Sequence, residues 1–166
     1  NERYWRGAST KQIVAIDIDS GKVLWKKIAN YGFPHKSVAI GNDRVFCLDR
    51  IDIASLELTK RRGVAVEHTP RVLCYDLQTG REAWTRNENG FSYQTLYSDK
   101  HDVFLQISPY DLVPESTYKK KRRQGLRFVA HQGTNGKVIW QRDFEVNRAV
   151  GRHRAWYSWF LYKDMV

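Results

Sequence analysis

The stretch Arg71-Val72-Leu73-Cys74-Tyr75-Asp76-Leu77-Gln78-Thr79-Gly80-Arg81-Glu82-Ala83-Trp84 decides how this chain is read. An apolar run of strand length comes first. Thr79-Gly80 follows as a turn dipeptide, in which glycine supplies the positive φ that a tight hairpin needs. The return segment ends on an indole four residues past the glycine. The same pattern stands twice more without gaps, at 12–25 and 127–140, with Gly21 and Gly136 in the turns and Trp25 and Trp140 in the return strands. The three tryptophans are 59 and 56 residues apart. Both residue types are scarce in the chain, so their recurrence at one spacing marks an internal repeat. An indole at a fixed place on every hairpin is expected to pack against the neighbouring repeat, which is a structural role and not a ligand-binding one.

A second repeated unit lies upstream of each hairpin. Residues 37–48 alternate apolar and polar positions around Gly41-Asn42-Asp43. Residues 94–105 do the same around a turn at 98–102, and 157–166 open the pattern a third time. The repeating unit is therefore four antiparallel strands, A to D: a tight turn, a variable connection, then the glycine turn before the tryptophan strand. Units of this kind in series are the blades of a β-propeller. The expected fold is all-β, with residues 1–27 ending a first blade, 35–87 and 92–143 forming two complete blades, and 157–166 starting a fourth. A closed propeller has four or more blades. The chain is therefore expected to be part of a larger ring, or to complete its ring with other copies or another chain.

The C–D hairpin resembles the quinoprotein-type, or PQQ-like, propeller repeat, whose pattern runs Ala-x-Asp-x-x-Thr-Gly-Lys-x-x-Trp. Ala15, Asp17, Gly21, Lys22 and Trp25 match it. Asp76, Thr79, Gly80 and Trp84 match with Arg81 for Lys. Ala130, Gly136, Lys137 and Trp140 match with Gln132 where Asp is usual. The resemblance spans about 12–166 and speaks to fold more than to function, because such repeats occur in dehydrogenases and in assembly scaffolds. It implies an extracytoplasmic, periplasmic setting. Its enzyme members hold PQQ and calcium at the propeller axis. Many of the alcohol dehydrogenases among them carry an adjacent cysteine pair, which this chain lacks.

Composition narrows the class. Of 166 residues 42% are hydrophobic and 22 are aromatic, too apolar for a disordered chain. No apolar run reaches the roughly 20 residues of a membrane-spanning helix. Asn1-Glu2-Arg3-Tyr4 is not the start of a secretory signal. Cys47 and Cys74 have no partners at zinc spacing and read as small apolar strand residues. Set opposite each other, they would be near enough to bridge.

The net charge of +10 is uneven. Residues 119–154 hold 11 of the 28 bases and 2 of the 18 acids, a net of +9, and the remaining 17 bases and 16 acids give +1. Strand direction alternates, so the B–C and D–A connections emerge at one end and the short turns at the other. The long B–C connections are 50–70, with Lys60-Arg61-Arg62, and 107–125, with Lys119-Lys120-Lys121-Arg122-Arg123. The D–A connections bring His35-Lys36 and Arg152-His153-Arg154 to the same end. Tyr110, Tyr118, Trp156, Tyr157 and Trp159 flank these bases. The candidate site is thus a cationic loop face for an acidic polymer or protein partner, with strongly salt-dependent binding. Sequence-specific nucleic-acid recognition has no motif to support it. No catalytic constellation, cofactor site or metal site is read from the residues. Asp17 and Asp76 are placed to hold turn amides, and His131 is placed in a strand as a packed residue. The expected function is a non-catalytic binding or scaffold module. The alternative is part of a PQQ- and calcium-dependent dehydrogenase acting on an alcohol or a sugar.

Overall fold

The computed structural model describes residues 9–51, 53–87, 94–111 and 124–145. They form ten strands in three antiparallel sheets. Strands β1 (Ser9–Ile16) and β2 (Val23–Pro34) pair as a hairpin. The second sheet runs β3 (Val38–Gly41), β4 (Arg44–Asp49), β5 (Arg71–Asp76) and β6 (Glu82–Asn87), each strand beside its neighbour in sequence. The third runs β7 (Gln94–Ser98), β8 (Val103–Asp111), β9 (Gln124–Gln132) and β10 (Val138–Glu145) in the same order.

The turns follow from residue type. Asn42 and Asp43 take φ of 44° and 56°, the left-handed pair of a two-residue hairpin that joins β3 to β4. Gly21, Gly80 and Gly136 sit at φ near +70° in the three C–D turns. Two connections differ from expectation. Residues 50–70 contain a helix, α1 (Ile53–Arg61), whose Leu56 is buried while Lys60 and Arg61 complete its last turn. Bases there complement the negative end of the helix dipole. In the third sheet the ladder continues through Tyr110↔Gly125 to Asp111↔Gln124, so the connection narrows to 112–123.

Alternation along β4 and β5 gives the second sheet two apolar faces. Val45, Cys47, Leu73 and Tyr75 join Ala29 and Phe33 of β2, with Ile13, Trp25 and Leu77 against them. Phe46, Leu48, Val72, Cys74 and Trp84 meet Phe104 of β8, with Ala39 and Tyr97 alongside. Leu105, Ile107, Leu126, Phe128 and Ala130 form a further cluster on the third sheet. This register decides the cysteine question. Cys47 lies opposite Leu73 and Cys74 opposite Phe46, so the two thiols belong to opposite faces of one sheet and stay free. Burial pushes both thiol pKa values up, that of Cys74 to about 12.

Candidate functional site

Short turns and long connections separate to opposite ends of the sheets. At the turn end, neighbouring repeats are joined through tryptophan and glycine. The Trp25 indole N–H donates to the Leu77 carbonyl at 2.8 Å, and a Cβ on Gly80 would come within 2.6 Å of the Trp25 ring. One repeat on, the Trp84 N–H donates to the Gly133 carbonyl at 2.8 Å, and a Cβ on Gly136 would come within 2.6 Å of the Trp84 ring. Glycine at these turns therefore answers two demands: a positive φ, and bare backbone on which a ring rests. Trp84 is 8% exposed. Trp140 is 39% exposed, and nothing lies within 4 Å of a Cβ placed on Gly21.

The turn carboxylates are held by backbone amides. Asp17 Oδ1 accepts the Ser20 N–H at 2.8 Å, and Asp76 Oδ1 accepts the Thr79 N–H at 2.7 Å. Bonds from the Ser20 and Thr79 hydroxyls and amides hold both acids below the ordinary carboxylate pKa. The third turn has Gln132 in this place, and Asp102 from the β7–β8 turn takes over. Its Oδ2 accepts the Thr134 N–H and the Gln132 side-chain amide, each at 3.2 Å, while its Oδ1 accepts from Arg44 at 3.0 Å and from the Tyr97 hydroxyl. One acid thus repairs a departure from the repeat and ties the second sheet to the third.

The loop end has its own polar centre. Asp49 is fully buried at the end of β4. Its carboxylate accepts the N–H groups of Asn30, Tyr31 and Gly32 at 2.9, 2.8 and 3.1 Å, and Arg71 Nη2 donates to it at 2.6 Å. Burial alone would raise the Asp49 pKa. The Arg71 and backbone bonds outweigh burial and hold it below the usual value. Beside it, His68 Nε2 accepts the Ile51 N–H at 2.9 Å, and the Tyr31 ring meets the His68 ring edge-on. Burial first, then the nearby Arg50, lowers the His68 pKa and favours the neutral ring that can accept this bond. Lys60, Arg61 and Arg62 are exposed at the end of α1.

Of the expected cationic face, Lys119, Lys120, Lys121, Arg122, Arg123, Arg152, His153 and Arg154 lie outside the described residues. The described part is Lys60 to Arg62 with His35 and Lys36, all exposed. Asp49, Arg71, His68 and Asp102 are polar centres that no local sequence pattern announces. His131 is buried, with Nδ1 3.2 Å from the Gly136 carbonyl and Nε2 facing Gln106 Oε1. Among the described residues, no three His, Cys, Asp or Glu side chains come together as a metal site. No helix among them is long and apolar enough to cross a membrane.

Four-stranded antiparallel units joined by tryptophan on glycine define a repeat of the PQQ-type β-propeller class. Residues 4–154 match the family model described as outer membrane protein assembly factor BamB, and the chain belongs to that family. Among solved structures, the crystal structure of BamB from Moraxella catarrhalis is similar at 12% identity with a TM-score of 0.38. The match covers 89% of this chain and 54% of that one, so the chain spans about half the length of that structure. A search of curated proteins gave no match.

Proposed function

We propose that this chain is a propeller module that works as a non-catalytic binding scaffold and offers its cationic loop end to an acidic partner. The observation that carries the reading is the sorting of the connections. Tight turns, occupied by repeat-to-repeat contacts, gather at one end. The other end receives α1 with exposed Lys60, Arg61 and Arg62, and the equivalent connection of the next repeat carries Lys119 to Arg123. A concentrated cationic end attracts an acidic surface far better than the same charge spread evenly. The carboxylates that chemistry would call on are engaged elsewhere: Asp17, Asp49, Asp76 and Asp102 hold backbone amides. The family description, an outer membrane assembly factor, supports a binding role in an extracytoplasmic setting.

The test is retention on immobilised heparin across a salt gradient. The native chain is expected to elute late, with retention falling steeply as salt rises. Replacing Lys119, Lys120, Lys121, Arg122 and Arg123 with Gln is expected to move elution to clearly lower salt. Unchanged elution refutes the cationic face. Dye reduction with an alcohol or a sugar, dependent on added PQQ and calcium, would replace the scaffold reading with the dehydrogenase one.

A further inference from the structure

The connection from β4 to β5 is tied at its neck. Ile51 stands just past β4 and His68 just before β5, and the Ile51 N–H donates to His68 Nε2 at 2.9 Å. Helix α1 and the exposed bases Lys60, Arg61 and Arg62 lie between the two. Strand β2 meets the same neck through Tyr31. Its ring stands edge-on to the His68 ring at 4.8 Å, and its hydroxyl accepts the Thr69 N–H at 3.3 Å. A backbone N–H can only donate, so His68 Nε2 must present a lone pair and the ring proton must sit on Nδ1. The bond therefore belongs to the neutral ring. An imidazolium carries N–H on both nitrogens, and a donor would then face a donor.

We propose that His68 is an acid-released latch: neutral, it holds the β4–β5 connection closed at its neck, and protonated, it lets go of Ile51 and loosens the hold on α1 and its bases. The charges around the ring are arranged for this. Arg50, 3% exposed at the end of β4, opposes a second cation. Asp49 of β4 favours one, but its carboxylate already accepts three amides of β2 and the Arg71 guanidinium of β5. Tyr31 presents a ring edge, and Glu67, next in the chain, is exposed. Burial and Arg50 hold the His68 pKa below its ordinary 6.5. The latch is thus fully engaged above that value and is lost as pH falls through the depressed folded one. Leu56 stays buried as a second hold, so the release is a local opening. As a regulator of partner binding the latch rests on the scaffold reading, because the bases it positions are the described part of the cationic face.

The experiment is segment-resolved hydrogen exchange of the whole chain from about pH 8 to about pH 5, expressed as protection factors so that the intrinsic pH dependence of exchange drops out. In the native chain, protection across 50–69 is expected to fall about tenfold in acid, the scale of one lost hydrogen bond, while β4 and β5 keep theirs. His68→Gln offers an amide oxygen that accepts but does not titrate, so its protection is expected to stay high at every pH. His68→Phe keeps a ring against Tyr31 and has no acceptor, so its protection is expected to be low throughout. A native segment whose protection does not change with pH overturns the proposal, and so does an acid step that persists in His68→Gln. Heparin retention at neutral pH separates the two readings. A chain that shows the step and is not retained keeps the latch and loses the binding face. A chain that is retained and shows no step loses only the latch.

Discussion

Asp49 carries more of the loop end than any other single side chain. It is fully buried, and three amides and one guanidinium converge on it. The pKa of the folded protein lies below the ordinary value of 3.8. The stabilisation it provides is therefore complete above that value and is lost as pH falls through the depressed folded one. Asp49→Asn removes the charge and keeps the shape. Arg71 is partly exposed, at 28%, so water recovers some of the guanidinium's loss. The expected cost at neutral pH is about 2 kcal/mol, the scale of hydrogen bonds to a charged group. Urea titrations at several pH values check this: the variant is expected to lose less stability than the native chain between pH 5 and about pH 2. Parallel acid limbs would mean the carboxylate is not what holds this end. Nothing in the sequence around Asp49 announces this role. Its partners lie 17 to 22 residues away, on β2 and β5, and only the fold brings them together. Asp17 and Asp76 were legible because their partners sit three residues on, within the turn itself.

The hairpin is the element that the sequence reveals best, because its signals are local: a strand-length apolar run, a turn dipeptide and an indole. Strand order within each four-stranded sheet was legible for the same reason, since consecutive hairpins leave no other simple pairing. Helix α1 was not legible. Nine residues, four of them apolar, span too few turns to show a helical period, and Leu56 is the side chain the helix buries. The glycines allow a test at this scale. Gly21 and Gly80 share φ of 68°, so an added methyl strains both turns equally, by about 1 kcal/mol. They differ in what the methyl meets: open space at Gly21, and the Trp25 ring at 2.6 Å at Gly80. Gly80→Ala is therefore expected to cost more than Gly21→Ala by about 1–3 kcal/mol, the range for overpacking a well-filled site. Equilibrium denaturation of the two variants gives the difference directly. Equal losses would mean that turn strain alone fixes glycine here, and that the ring does not depend on the bare backbone.

At the scale of the whole molecule, the chain is a series of sheets in which each touches its neighbour in sequence. The first apolar cluster ties β1–β2 to the second sheet, and the second cluster ties that sheet to the third. In such an array stability is a sum of unit terms and nearest-neighbour terms, so the effect of a lost contact depends on its place in the series. Trp84 sits at the junction of the second and third sheets, its ring tilted against Phe46 and its N–H bonded to the Gly133 carbonyl. Trp25 sits at the other, where among the described residues the β1–β2 hairpin alone lies on its far side. Trp84→Ala is expected to cost about 3–5 kcal/mol, the range for deleting a buried aromatic. It should lower amide protection on both sides of the junction, in β4–β5 and in β8–β9. Trp25→Ala is expected to release protection chiefly in β1–β2, while β8–β9 keep theirs, because no contact beyond the second sheet is lost. Hydrogen exchange resolved by segment distinguishes the two. A uniform fall across all three sheets in Trp25→Ala would show a single cooperative unit, whereas a fall confined to the first hairpin shows that each repeat is stabilised by the one after it.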